Sequence, residues 1–268
     1  MRIVGVGDNT VDIYGHRRMK FPGGNAVNVA VLAHRYGAEA AYLGWLGKDE
    51  RGSLVLNSLK EEGLDISHCR VMEGMASSYS TVTVINGDRI FGKSNPGASQ
   101  HLHLTDEDLD YIATFDLVHT SVYSHLEKQI TALKSASHLL AFDLSQRYER
   151  SYLERILPHV DIAFLSLASI ADIEQDRLMR AMIELGPKLV VVTRGKEGSW
   201  VFDGKFLYHQ GIIAVEAVDS LGAGDAFAAR FLVEYHSGTP VPAAMERAAH
   251  SAAENCSHFG AFGHGQPC

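Results

Sequence analysis

The stretch VDSLGAGDAFAARFLVEY, residues 218–235, sets two acids around a Gly-Ala-Gly turn and then enters an apolar segment of helical period. Asp219 opens it, Gly222, Ala223 and Gly224 form the turn, and Asp225 stands where the helical period begins. A glycine-rich turn feeding a helix points backbone N–H groups outward at the positive end of the helix dipole, which makes an anion site. Two readings of Asp225 stay open from these residues. It caps the helix, as Asp does at many helix starts, or it accepts the proton of a hydroxyl that attacks a phosphate held in the turn. The turn is not a P-loop, since no GxxxxGK[ST] occurs, and it lacks the full GxGxxG of a dinucleotide turn.

Upstream of this stretch, strands and helices alternate. RIVGVG (2–7) reads as a buried strand ending at Asp8 and Asn9, and GGNAVNVAVLAHRYG (23–37) as a helix entered through a glycine pair. AAYLGWLG (40–47) reads as a strand and DERGSLVLNSLKEEG (49–63) as a helix. DLVHTSV (116–122), HLLAFDLS (138–145), VDIAFLSL (160–167) and KLVVVTRGKEGSWVF (188–202) continue the strands, with helical segments between them. Parallel strands need crossover connections, so the alternation predicts a mainly parallel sheet with helices on both faces. One region breaks it. SSYSTVTVINGDRIFGKSNPG (77–97) alternates apolar and polar residues around Asn86-Gly87, a strong hairpin signal. With the segment near Asp12 to Phe21 it reads as a small β lid, built from about residues 10–22 and 76–98 of one domain that spans 1–268.

Composition narrows the classes. The chain has 268 residues, 46% apolar and 21% charged, an ordinary globular balance. A formal charge of −8 argues against a nucleic-acid footprint, which needs a basic face. No apolar run approaches the roughly 20 residues that span a bilayer. The start, MRIVGVGDNTVD, turns polar too early for a signal-peptide core. Cys69, Cys256 and Cys268 form neither a disulfide framework nor a CxxC site, so a cytoplasmic setting is expected.

Other groups gather just after the strands, where parallel sheets bind ligands. Asn25 and Asn28 lie one turn apart at the second glycine-rich helix start, and their amides can both donate to and accept from sugar hydroxyls. Asp8 and Asp12 add carboxylates that accept hydroxyl hydrogen bonds. Each also has a plain structural reading: Asn25 as an N-cap, Asp8 as a turn residue, Asp12 as a solvated edge acid. His101 and His103 stand two apart, short of the three or four ligands zinc takes, beside a helix start with Thr105 as N-cap and Asp108 at N3. Ser121 and Ser124, near His119 and His125, show no nucleophile-elbow pattern, which excludes a hydrolase reading. FGAFGHGQPC (259–268) reads as a flexible tail.

Taken together, four ordered motifs resemble the ribokinase-like carbohydrate kinases, the PfkB family. VDSLGAGDAF resembles its carboxyl-terminal signature D-[ST]-x-G-A-G-D, and GGNAVNVA its amino-terminal one. LGKDERG (46–52) resembles its G-x-D-x-x-G, and VVTRGKEGSWV (191–201) its T-x-G-x-x-G. The resemblance runs nearly end to end. It implies a three-layer α/β sandwich with a small β lid, and transfer of the γ-phosphate of ATP to a sugar. Asp225 would be the base, and the N–H groups of Gly222, Ala223 and Gly224 through Asp225 the anion hole. Asp12, Gly24, Asn25 and Asn28 would hold the sugar, with Asp8 close by. Thr193, Gly195 and Gly198 would lie along ATP, with Asn255 on the adenine side. The lid would exclude water, and in many relatives it also forms a homodimer interface. Mg²⁺ accompanies ATP, and a monovalent cation can take part.

Within the family, GDNTVDIY, GLDISH, DRIFG and AFDLS are most similar to kinases of amino-acid-linked fructoses such as fructoselysine, which act at O6. Arg89, in DRIFG, either pairs with the amino acid's carboxylate or is a solvated hairpin arginine. One departure stands out. Where the family commonly carries N-x-x-E, this chain reads SLAS, Ser166 to Ser169. Either water and phosphate alone organise Mg²⁺, or another acid such as Asp143 contributes. The alternatives are a kinase of a plain sugar or nucleoside (fructose, ribose, adenosine) and a sugar- or nucleotide-binding sensor without turnover. No GxGxxG follows the first strand, which places a dehydrogenase far behind.

Overall fold

The computed structural model describes residues 1–85, 88–167 and 170–268. The Asn86-Gly87 turn expected from the sequence lies outside these residues, as does the second half of the SLAS stretch.

Fifteen strands and eight α-helices follow one another among the described residues. The strands are β1 (Arg2–Val6), β2 (Thr10–Tyr14), β3 (Met19–Gly23), β4 (Glu39–Leu43), β5 (Trp45–Gly47), β6 (Arg70–Met72), β7 (Tyr79–Ile85) and β8 (Asp88–Asn95). They continue as β9 (Leu117–Ser121), β10 (Leu139–Asp143), β11 (Ile162–Ser166), β12 (Leu189–Thr193), β13 (Ser199–Phe202), β14 (Leu207–Gln210) and β15 (Gln266–Pro267). The helices are α1 (Asn25–Arg35), α2 (Glu50–Glu61), α3 (Asp106–Ile112), α4 (Ile130–Ala136), α5 (Arg150–Ile156), α6 (Asp172–Glu184), α7 (Ala223–His236) and α8 (Val241–Asn255).

Eight strands make the main sheet in the order β14-β13-β12-β11-β10-β9-β1-β4. From β12 to β4 every pairing is parallel. The glycine turn after Thr193 then folds β13 back antiparallel on β12, and β14 pairs antiparallel with β13. The near-continuous apolar strands are buried on both faces, as a parallel sheet requires. One core gathers Ala26, Val29 and Ala30 of α1, Leu54 and Leu59 of α2, Phe227 and Phe231 of α7, and Met245 of α8. The other gathers Ile112 of α3, Leu133 of α4, Ile156 of α5 and Met179 of α6. The result is the three-layer α/β sandwich expected from the ribokinase-like resemblance. Strands run outward from β1 in both directions, so the sheet's switch point lies between β1 and β9, a usual place for ligands in open α/β sheets.

A five-stranded sheet, β15-β3-β2-β7-β8, stands apart from the first. Its β2 and β3 form a hairpin with Asp12 opposite Phe21, and β7 joins β2 with Ser80 opposite Asp12. Tyr14, Phe21 and Val82 of this sheet pack on Leu221, in the loop before α7. Two sequence readings change here. The carboxyl-terminal segment is not a free tail: Gln266 pairs with Lys20 on β3, and Ala261 and Phe262 are buried. The single strand read at 40–47 is two, because the chain leaves the main sheet at Gly44 and β5 pairs with β6 instead. Among the described residues no helix is long and apolar enough to cross a membrane.

Candidate active site

The two glycine-rich turns meet. Gly24 is the N-cap of α1 at φ 112°, and a Cβ there would stand 2.6 Å from the Asn9 Cα, so the chain turns into α1 only with glycine. Gly222 is the N-cap of α7 at φ 82°, and a Cβ there would stand 2.5 Å from the Ala261 Cβ. Behind these turns α1 and α7 run side by side, which places their first turns together.

Asp225 does not cap its helix. It lies in the first turn of α7, which has no side-chain cap bond, and its carboxylate faces α1. Asn25 Nδ2 donates to its Oδ1 at 2.8 Å and Asn28 Nδ2 to its Oδ2 at 2.6 Å. Burial pushes the Asp225 carboxyl up to about 6, although the Asn28 bond, the Arg89 charge and the Asn25 bond all act in the opposite direction. The N–H groups of Gly224 and Asp225 have no acceptor among the described residues, and Gly224 is exposed, with nothing within 4 Å of where a Cβ would stand. That leaves two first-turn donors open beside a half-buried carboxylate.

Two further acids lie close. Asp12, on β2, is 3% exposed; burial, then the charges of Asp225 and Asp219, push its carboxyl up to about 7. Asp143, at the end of β10, accepts from Asn25 Nδ2 at 2.9 Å and from the Ser145 N–H at 2.7 Å. Burial, with the Asp225 charge, pushes Asp143 up to about 7 as well, against the Ser145 bond. Asn28 Oδ1 is buried without a partner among the described residues, an unsatisfied acceptor on the side chain that donates to Asp225.

Asp8 has a different surrounding. Its carboxylate accepts from the backbone N–H of Asn25 (2.6 Å) and Ala26 (3.3 Å) and from the hydroxyls of Ser121 (2.8 Å) and Ser124 (3.0 Å). It therefore caps α1 from another strand's end and leaves little of itself for a ligand. Arg89 is exposed on β8 and donates through Nη1 to the Ser220 carbonyl at 2.9 Å, next to the turn that opens α7. Thr193 ends β12 in register with Ser166 of β11, at the same sheet edge as Asp143. Gly195 and Gly198 form the turn after it, with positive φ at both. Asn255 closes α8 and donates from Nδ2 to the Leu221 carbonyl at 2.8 Å, one residue before Gly222.

Three contributors were not read from the sequence as parts of the site: His119, Tyr14 and the pair Ser121 and Ser124. His119 is fully buried on β9 and bonds Asn25 Oδ1 through Nε2 at 2.8 Å. Tyr14 donates to Asp219 at 2.5 Å. The only available signal was position, and only for the serines: Ser121 ends β9 and Ser124 lies just past it, whereas His119 sits in the middle of that strand.

As for a divalent ion, no group of three or more His, Cys, Asp or Glu among the described residues is arranged to hold a metal. Mg²⁺ is commonly held by one or two carboxylates together with phosphates and water. Asp143, partly exposed at the strand end, fits that lesser demand.

A parallel α/β sheet that brings an open helix start against a half-buried carboxylate held by two amides defines a phosphotransferase class of site. The chain belongs to the pfkB family of carbohydrate kinases, whose model matches residues 2–264; it is an ATP-dependent sugar phosphotransferase. It is 39% identical over 270 residues to fructosamine kinase FrlD of Bacillus subtilis, covering 100% of this chain and 95% of that one. It is 35% identical over 258 residues to fructoselysine 6-kinase of Escherichia coli, covering 96% and 98%. Among solved structures, Arabidopsis thaliana ribokinase complexed with ribose and ATP superposes with a TM-score of 0.82 at 20% identity, over 97% of this chain and 94% of that one. That last likeness is one of fold.

Proposed function

We propose that this kinase phosphorylates O6 of a fructosamine-type sugar such as fructoselysine. The observation that carries the reading is the Asp225 carboxylate, held by Asn25 and Asn28 beside the open N–H groups of Gly224 and Asp225. The whole-length similarity to a fructosamine kinase and a fructoselysine 6-kinase supports the substrate class.

In this reading the sugar lies over Asn28, Asn25 and Asp12, beside Gly24, with the attacking hydroxyl against Asp225. As the new O–P bond forms, the hydroxyl proton passes to Asp225, and the bond to the β-phosphate breaks with its electron pair leaving on ADP. Of the turn Gly222, Ala223, Gly224 and Asp225, the Ala223 N–H already donates to the Ser220 carbonyl at 3.3 Å, so the open N–H groups of Gly224 and Asp225 cradle the transferring phosphoryl group, where the helix dipole adds to their donors. Thr193, Gly195, Gly198 and Asn255 line the nucleotide. Asp143, together with the phosphates and water, would hold Mg²⁺, which would supply neutralisation of phosphate charge. Asp8 supports the site from behind by capping α1. Arg89 meets the carboxylate of the substrate's amino acid by exchanging its Ser220 partner for a bidentate pair. The five-stranded sheet serves as the lid, and exposed Ile85, Ile90 and Phe91 on it support a homodimer formed there. The enzyme acts in the cytoplasm, which keeps its three free cysteines reduced.

The test is ADP release with Mg²⁺ and ATP across fructoselysine, other amino-acid-linked fructoses, fructose, ribose and adenosine. Turnover of a fructosamine, lost in Asp225→Asn, supports the reading. Turnover of a plain sugar or nucleoside alone overturns the substrate and keeps the chemistry. Binding without turnover of any of them makes the chain a sensor.

A further inference from the structure

We infer that His119 is a positioning residue: its Nε2–H holds the Asn25 carboxamide in the one orientation that aims both amide N–H groups at the two facing carboxylates. The inference rests on the reading that Asn25 and Asp225 serve the sugar.

The argument is an accounting of donors and acceptors. Asn25 Nδ2 has two N–H groups, and both are used, one on Asp143 Oδ2 at 2.9 Å and one on Asp225 Oδ1 at 2.8 Å. Its Oδ1 faces His119 Nε2 at 2.8 Å. The flipped amide would set its oxygen against two carboxylates and its N–H groups against the ring. With the amide as it stands, the ring has to carry its proton on Nε2.

His119 is suited to do this without adding charge. It is fully buried in the middle of the sheet, between Gly5 of β1 and Ala141 of β10, with Phe164 packed edge-on at 6.3 Å. Burial pushes it down to about 3, so the ring is neutral across the working range. Its Nδ1 has no partner among the described residues. A bare lone pair there is tolerable in a neutral ring with hydrogen on Nε2, whereas an N–H on Nδ1 would lack an acceptor. The imidazole therefore acts as a fixed, uncharged donor beneath Asn25, and through it sets where two carboxylates stand.

Two measurements test this. The first is the ¹⁵N–¹H NMR pattern of the His119 ring in the unaltered protein, with His119→Gln as the assignment control. A proton on Nε2 alone supports the inference; a proton on Nδ1 overturns it. The second compares variants in steady-state turnover of the preferred sugar from the panel above. Gln places an amide N–H near the position of Nε2, whereas Asn and Leu do not. His119→Leu and His119→Asn are expected to lose about tenfold or more in kcat, the scale of one forfeited buried hydrogen bond, and His119→Gln to recover most of it. If Gln is no better than Asn at similar thermal stability, or Leu retains full kcat, the inference is wrong. Should Leu not fold, the Gln–Asn pair and the NMR pattern still decide. Because the NMR arm needs no substrate, failure of the proposed kinase substrate is distinguished from failure of the His119 assignment.

Discussion

Tyr14 Oη donates to Asp219 Oδ2 at 2.5 Å, and the bond ties the smaller sheet to the loop that opens α7. Both side chains are fully buried, and Asp219 also accepts from the N–H groups of Leu221 (2.9 Å) and Gly260 (3.3 Å). Burial and the adjoining carboxylate push the Tyr14 hydroxyl up, so it stays a donor at every working pH. Removing it leaves Asp219 with two weaker neutral donors. Tyr14→Phe is expected to cost about 1.5–3 kcal/mol, the range for a hydrogen bond to a charged group. It is also expected to lower kcat/KM by loosening the turn at Gly222. Urea unfolding and kinetics on one preparation check both, and an unchanged midpoint would contradict the first.

Asp225 is pushed up to about 6, so as a base it is ionised above that pH and protonated below it. The expected profile of kcat/KM therefore falls as pH drops through about 6 and is level above it. Asp12 and Asp143 titrate nearby, so the limb reports the cluster as a whole. A rate profile from pH 5 to 8 tests this, and a limb that falls on the alkaline side instead would rule out Asp225 as the base.

Stability should run in the other direction for Asp12. Its folded pKa, about 7, is above the ordinary carboxylate value. A carboxyl shifted upward contributes stability that is fully present below its unfolded pKa and is lost as pH rises through the folded one. Ligand-free protein is expected to lose part of its melting temperature between about pH 4 and 7 on this account. Asp12→Asn should flatten that slope. Parallel melting curves for the two proteins would refute the assignment.

The glycines of the turn should separate fold from chemistry. Gly222→Ala meets both a left-handed φ of 82° and the Ala261 Cβ, and is expected to destabilise by about 1–3 kcal/mol. Gly224→Ala meets nothing within 4 Å, so the fold should be kept or slightly strengthened. Its methyl would still stand beside the open N–H groups, and kcat should fall. Calorimetry and turnover on both variants check the contrast; equal activity in Gly224→Ala would remove the cradle from the mechanism.

Far from the site, Asp108 is 1% exposed and receives Arg70 Nη2 at 2.8 Å, His68 Nδ1 at 3.1 Å and the Thr105 N–H at 2.9 Å. Burial pushes its carboxyl up, but these donors outweigh it and hold it below the usual range. This contribution is present at neutral pH and lost as pH falls below about 4. Asp108→Ala removes both the ion pair and the capping box of α3, and is expected to cost about 2 kcal/mol at pH 7. The deficit, read by urea unfolding, should shrink at pH 3.

Much of this protein was legible in its sequence because the demands involved are local. Gly24 and Gly222 answer to backbone φ at two helix starts, and such a requirement is written in the residue itself. The alternation of apolar strands with helical periods is likewise a nearest-neighbour property, and it was enough to predict the parallel sheet with helices on both faces. The capping box at Thr105 and Asp108 was visible for the same reason.

What the sequence did not contain is the choice of partner across long separations. Asp225 reads equally as a cap or a base until α1 is placed against α7, 200 residues away from Asn25 in the chain. Asp8 reads as a turn acid until β9 brings Ser121 to its carboxylate, 113 residues on. His119 carries no motif, yet it lies in the sheet directly beneath Asn25. The carboxyl-terminal segment reads as loose because its two strand residues gain their hydrogen bonds only from β3. Sequence alone determined the backbone conformations and the periodicities. Only the tertiary structure decided which buried polar group satisfies which other, because a buried hydrogen bond depends on distance in space and leaves no mark on spacing along the chain.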